Sequence, residues 1–188
     1  MEYYILLGKH CVLLGLLVGC LYTDLARGKI YDYAVLPALF VGLLLNFMLG
    51  GLWDGGLQGV NLGSALLATV LAGGVFLWPY AKGGIGGGDV KLMAAVGALG
   101  GFHELYIILA LIYTAVLGAA MAAVLLIWRG KFLEGLKGSL RFVFSLKRVD
   151  AKEDEAEGDE PEKLTIPYGT AICLGSTLAW FVTELGAW

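Results

Sequence analysis

The feature that most limits how this chain can fold is its series of long apolar stretches. A bilayer core about 30 Å thick needs roughly 20 apolar residues per crossing helix, and the chain is 59% hydrophobic but only 15% charged. We therefore predict an all-α integral membrane protein with six transmembrane helices and no large soluble domain. The six predicted spans are 4–22, 33–52, 60–80, 89 to about 101, 105–128 and 166 to about 184.

The distribution of Lys and Arg predicts how these helices are oriented. Twelve of the 13 Lys and Arg residues follow the first span, flank the turn between the third and fourth, or lie between the fifth and sixth. The exception is Lys9. Because cytoplasmic loops carry an excess of basic residues, we expect the N-terminus and the C-terminus outside and the three basic loops in the cytoplasm.

We expect residues 1–188 to form one membrane domain with a single long cytoplasmic loop over 129–163. The first part of this loop has apolar residues at helical spacing among basic ones, which predicts an amphipathic helix on the inner leaflet. The acidic segment 150–162 has almost no apolar content and should be a disordered linker. Docking of a partner is the alternative role for this linker.

Other residue patterns argue against several classes of site. No basic stripe with interleaved aromatic residues is present, so no nucleic-acid partner is expected. The three cysteines, Cys11, Cys20 and Cys173, lie in apolar stretches without a C-x-x-C pair. That arrangement favours buried apolar thiols over a zinc site or a disulfide framework.

Two aspartates are predicted to lie at the same membrane face. Asp24 ends the first span and Asp89 opens the fourth, and the chain crosses the membrane twice between them. Such aspartates are costly near hydrocarbon and are usually paired, hydrated or functional. Two close carboxyls can share one proton, so the ionised group can take a proton from water while the protonated one donates to a scissile carbonyl.

A run of glycines precedes Asp89, with Gly86, Gly87 and Gly88 adjoining it. Glycine permits close approach of a substrate backbone, which must be extended to be cut. A hinge without chemistry is the alternative, as are solvated interfacial aspartates or an N-cap role for Asp89. A phosphate loop is excluded because G-K-[ST] is missing.

Further glycine pairs lie four residues apart, at helix-packing spacing. They are Gly15 with Gly19 and Gly97 with Gly101.

The segment Gly86, Gly87, Gly88, Asp89 resembles the G-x-G-D motif of type IV prepilin peptidases. The resemblance covers essentially the whole chain. Two further segments match the family pattern, around the first aspartate and at the start of the last helix: Asp24, Arg27 and Ile30, and the I-P-Y-G of 166–169 with Pro167, Tyr168 and Gly169.

One segment departs from that pattern. Where the family has I-P-N, this chain has Ile30, Tyr31 and Asp32. Asp32 would be a cap of the second helix or an electrostatic modulator of the aspartate pair. Lys91 fits the family pattern, but it lies two positions after Asp89, so its side chain should point away from the Asp89 face and anchor the membrane surface.

The resemblance implies a membrane aspartic endopeptidase with Asp24 and Asp89 as catalytic residues and no cofactor. It would cleave the leader peptide of prepilin-like substrates (type IV pilin, pseudopilin or archaellin-like) at the cytoplasmic membrane face. The chain is similar to the short archaeal preflagellin and Flp-type prepilin peptidases, which lack the methyltransferase region, so we expect cleavage without methylation. Its expected place is the inner (cytoplasmic) membrane of a bacterium or archaeon, in contact with lipid and with pilus or secretion assembly machinery.

Two other functions compete with this hypothesis. A small proton-coupled transporter could use the aspartates as a proton relay, although such sites usually lie near the midplane, at broken helices in paired repeats. A non-catalytic assembly subunit could retain the fold. The presence of both aspartates argues against the second of these.

Overall fold

The computed structural model describes residues 2–52, 61–101, 105–128 and 168–186. These ranges contain six α-helices and no strand, so the predicted all-α fold is confirmed for them. The helices are α1 (Glu2–Arg27), α2 (Asp32–Gly50), α3 (Leu62–Ala81), α4 (Gly87–Gly100), α5 (Tyr106–Trp128) and α6 (Tyr168–Gly186). The loop predicted over 129–163 and Pro167 lie outside the described residues.

Four of these helices, α1, α2, α3 and α5, are long and apolar enough to cross a membrane. Large apolar side chains point away from the bundle on several helices, including Phe40, Val70 and Trp128, which is 85% exposed. Exposed apolar surface on this scale suits lipid rather than water as the solvent. The chain is therefore a multi-pass membrane protein.

The short helix α4 lies at the centre of the bundle. It contacts every other described helix, and Leu92, Met93, Val96 and Leu99 in it are fully buried. A helix of 14 residues spans about 21 Å, which is less than the hydrocarbon core of a bilayer. From Leu92 to Gly100 its residues are buried except for the partly buried Ala94, so this part of its backbone need not meet lipid.

Two glycines allow neighbouring helices to approach α4 closely. A Cβ atom on Gly42 of α2 would lie 2.9 Å from the carbonyl carbon of Ala98, and one on Gly97 of α4 would lie 2.6 Å from the carbonyl oxygen of Ala68. The packing role predicted for Gly97 is thus confirmed.

The packing role predicted for Gly15 and Gly19 is wrong. A Cβ atom on either residue would meet nothing within 4 Å. The spacing alone could not identify which face of α1 packs against a neighbour.

Gly101 follows α4 with a φ of +66°, a left-handed conformation that favours glycine where the helix ends.

The helix ends differ from the predicted spans by a few residues, and one difference affects the candidate site. Because α1 continues to Arg27, Asp24 lies inside its last turn and not after its end. The helix α2 begins at Asp32, which leaves Pro37 inside the helix.

Candidate active site

Asp24 is buried at the end of α1 and is held by the start of α6. Its Oδ2 atom accepts hydrogen bonds from the backbone N–H of Thr170 at 2.6 Å and from the Thr170 hydroxyl at 2.9 Å. The first N–H groups of a helix have no partner within it and carry a partial positive charge. The carboxyl of Asp24 thus occupies a position that suits an anion.

Asp89 lies in the first turn of α4 and is half-buried. Its Oδ2 atom accepts the backbone N–H of Gly86 at 3.2 Å, and its own N–H donates to the Gly86 carbonyl at 3.2 Å. The residue that caps α4 is Gly86, so Asp89 is not the N-cap. The carboxyl of Asp89 instead accepts a bond from the capping residue, while the backbone N–H of Asp89 donates back to that residue. The two bonds together hold Asp89 at the helix start.

The structure brings the two aspartates to the same end of the bundle. Ile30, which follows α1, lies against Gly88 next to Asp89 and against Gly169, and Gly169 in turn lies against the carboxyl of Asp24. Cys173, one turn after Thr170 in α6, is buried. The candidate site therefore draws on α1, α4 and α6.

Ile30 joins these three helices at the site. It follows α1 and lies between Gly88 and Gly169. Replacing either glycine with a larger residue would force neighbouring atoms to move. A Cβ atom on Gly88 would lie 3.0 Å from the Cβ of Ile30, and one on Gly169 would lie 2.7 Å from its Cδ1. Both glycines are therefore sites of close helix approach.

Gly87, the first residue of α4, also lies close to another side chain of the protein. A Cβ atom on Gly87 would lie 3.3 Å from Cε2 of Tyr80, and Gly83 has a φ of +78°, which favours glycine. We expected the run to leave room for a substrate backbone. At Gly87 and Gly88 the chain's own side chains occupy the space that a Cβ atom would fill.

Three further predicted site residues, Arg27, Asp32 and Lys91, lie at exposed positions. Arg27 donates to the Tyr31 hydroxyl at 3.1 Å and is exposed. Asp32 forms an ion pair with Lys91, and both side chains are about half exposed. Asp32 is not the cap of α2, because Tyr31 holds that position. We expected Lys91 to anchor the membrane surface and did not predict its ion pair with Asp32.

Two carboxyls at one end of the bundle supply groups that can accept and donate protons. Two carboxyls whose charges interact at a partly buried site can hold one proton between them. Among the described residues, no three His, Cys, Asp or Glu side chains form a group that could hold a metal ion.

Comparison with known proteins identifies the family to which these residues belong. The profile of the type IV leader peptidase family matches residues 11–123, more than half of the chain, and the match includes both aspartates. This chain belongs to the type IV leader peptidase family. The family match ends before α6, so Gly169 and Thr170 come from a segment beyond it.

Curated relatives agree with the family match. The chain is 36% identical over 121 residues to a prepilin leader peptidase/N-methyltransferase of Aeromonas hydrophila, covering 60% of this chain and 38% of the relative. It is 37% identical over 103 residues to a prepilin leader peptidase/N-methyltransferase of Pseudomonas putida. That match covers 50% of this chain and 32% of the relative. The chain thus matches about a third of the length of these relatives. No solved structure matches this family member.

Sequence reasoning missed Thr170. The only signal was its position directly after the I-P-Y-G segment, at the start of a predicted helix. Its bond to Asp24 joins residues that are 146 positions apart, and hydropathy carries no information on that pairing.

The opposite end of this leader peptidase family member holds a second polar cluster. The buried Lys9 donates to Oδ1 of Asn46 at 3.4 Å and lines the same small cavity as Glu184. The Asn46 amide donates to the carbonyls of Gly42 at 2.9 Å and Ala98 at 2.7 Å. Lys9, the exception in the charge pattern, is therefore one member of a cluster that joins α1, α2, α4 and α6.

Proposed function

We propose that this chain is a membrane aspartic endopeptidase that removes the leader peptide of prepilin-like substrates. The observation that carries the proposal is the position of Asp24 at the end of α1 and Asp89 at the start of α4, two helix ends that both lie against Ile30 or its neighbour Gly169. Family membership supports it, and so do the relatives named prepilin leader peptidase/N-methyltransferase.

The reaction we propose uses the two carboxyls as a unit that shares one proton. The ionised carboxyl takes a proton from water, and the water oxygen forms a bond to the scissile carbonyl carbon. The protonated carboxyl donates to the carbonyl oxygen. The C–N bond then breaks. The carboxyl that holds the proton gives it to the leaving amine nitrogen, and the other carboxyl takes a proton from a hydroxyl of the tetrahedral intermediate as the carboxylic acid product forms, so the pair again holds one proton. No metal or organic cofactor takes part.

We propose that the site faces the cytoplasm in a protein with six spans and both termini outside. The basic residues Arg27, Lys29, Lys82 and Lys91 flank the helix ends that carry the aspartates, in accord with the excess of basic residues in cytoplasmic loops. The substrate would be a type IV pilin, pseudopilin or archaellin-like protein, cut near the start of its apolar helix. The protein would lie in the inner membrane of a bacterium or archaeon, near pilus or secretion assembly machinery.

A processing assay in membranes tests this function. A prepilin of Aeromonas hydrophila is produced with the wild-type chain, with Asp24→Asn or with Asp89→Asn, and the leader is followed by mobility and by mass spectrometry of the new N-terminus. We expect each variant to accumulate normally and to leave the prepilin uncut. The mass also reports whether the new N-terminus is methylated.

The matched control is Asp54→Asn, an aspartate that the sequence places between the second and third spans. It should process the prepilin like the wild type. Cleavage at the wild-type rate by Asp24→Asn or Asp89→Asn would refute the proposed function.

A further inference from the structure

Thr170 presents two hydrogen-bond donors to a single oxygen of Asp24. The backbone N–H lies 2.6 Å from Oδ2 and the hydroxyl lies 2.9 Å from it. Both residues are 6% exposed, so water competes weakly for these bonds, and bonds from buried donors to a carboxylate are strong. Oδ1 of Asp24 accepts no hydrogen bond from the described part of the chain.

The position of Thr170 in its helix makes this contact specific. It is the third residue of α6, where the backbone N–H has no partner within the helix. Asp24 supplies that partner from α1, a different helix. The bond therefore satisfies the helix start and restricts the carboxyl group at the same time.

The preceding residue allows the contact to form. A Cβ atom on Gly169 would lie 2.9 Å from both Cγ and Oδ2 of Asp24. Any side chain at this position would push the carboxyl away from the first turn of α6. The carboxyl is thus bounded by Gly169 on one side and by the two Thr170 donors on another.

We propose that Thr170 is a positioning residue for Asp24, and this inference rests on the proposed function. Because Oδ2 already accepts two donors, a proton that Asp24 takes from water goes to Oδ1. Thr170 thereby selects the oxygen that reacts and fixes the orientation of the carboxyl. Removing its hydroxyl leaves one donor and lets the carboxyl rotate, so fewer encounters with water have productive geometry.

Purified enzyme with Aeromonas hydrophila prepilin tests the inference through kcat and KM measured separately. Thr170→Val keeps the shape and the N–H but removes the hydroxyl, and we expect kcat to fall about tenfold with little change in KM. Thr170→Ser keeps the hydroxyl and should restore most of kcat. The matched control is Thr177→Val in the same helix, where the hydroxyl bonds to the Cys173 carbonyl; it should behave like the wild type.

Two results would overturn the inference: wild-type kcat in Thr170→Val, or equal loss in the Val and Ser variants, which would indicate packing alone. If Thr170→Val does not accumulate, Thr170→Ala is judged against Thr170→Ser in the same way. Asp24→Asn separates this inference from the function it rests on. Should Asp24→Asn be inactive while Thr170→Val is fully active, the proposed function would stand and the role of Thr170 would fall.

Discussion

Gly88 of α4 lies directly against Ile30, which follows α1. A Cβ atom on Gly88 would lie 3.0 Å from the Cβ of Ile30 and 3.3 Å from its carbonyl oxygen. The residue before Asp89 therefore packs on the segment that follows Asp24. The separation of the two carboxyls depends on this contact, because neither helix end can move without disturbing it.

Adding a methyl group at this contact should impair cleavage more than folding. We expect Gly88→Ala to push the start of α4 away from Ile30 and to lower kcat/KM about tenfold to hundredfold, since a misplacement near 1 Å can cost that much. The prepilin processing rate per accumulated protein measures it. Gly74→Ala in α3, where a Cβ atom meets nothing within 4 Å, is the control; equal activity in both variants would contradict the argument.

The pH dependence of cleavage should be bell-shaped. The proposed pair must hold one proton, so the rate should fall at low pH when both carboxyls are protonated and at high pH when both are ionised. Measuring kcat/KM between about pH 4 and pH 9 checks this. A rate that rises steadily to the highest pH, with the protein still folded, would be inconsistent with a shared proton.

Chelation of metal ions should leave the activity unchanged. The proposed chemistry uses carboxyls alone, so cleavage after incubation with EDTA should match the untreated enzyme. A zinc metalloprotease assayed in the same detergent serves as the control and should lose activity. Loss of prepilin cleavage that added metal restores would point to a metal mechanism.

The polar cluster around Asn46 should contribute to stability and not to chemistry. Asn46→Leu removes the amide that bonds the Ala98 carbonyl, a group near the end of α4 with no partner in its own helix. We expect the free energy of unfolding to fall by about 1–3 kcal/mol. Thermal unfolding in detergent measures this, with the exposed Met48→Leu of the same helix as the control. Unchanged stability would show that this buried bond contributes little.

The ion pair between Asp32 and Lys91 should contribute little to stability. The side chains are 52% and 44% exposed, and exposed pairs contribute about 0–1 kcal/mol because water and salt screen them. A double-mutant cycle of Asp32→Asn and Lys91→Met, followed by unfolding, measures their coupling. A coupling energy well above about 1 kcal/mol would mean that the pair is shielded in the membrane.

The sequence by itself determined the helices and the relation of the two aspartates. Apolar length is a local property, so the predicted spans agree with α1 to α6 within a few residues. That Asp24 and Asp89 lie at one end followed from two crossings between them, whatever the order of the helices in the bundle. The motif resemblance likewise agrees with the family match over 11–123.

Only the tertiary structure decided which helices and residues meet. Several helices are apolar on all faces, and such helices carry no signal of which face packs against a neighbour. Glycines at the same four-residue spacing therefore differ in their surroundings: Gly97 makes a tight helix contact, whereas Gly15 lies on open surface. The central place of α4, the bond from Thr170 to Asp24 and the pairing of Lys91 with Asp32 all join residues far apart in the chain. These contacts depend on the lateral order of the helices, which apolar length and charge bias do not encode.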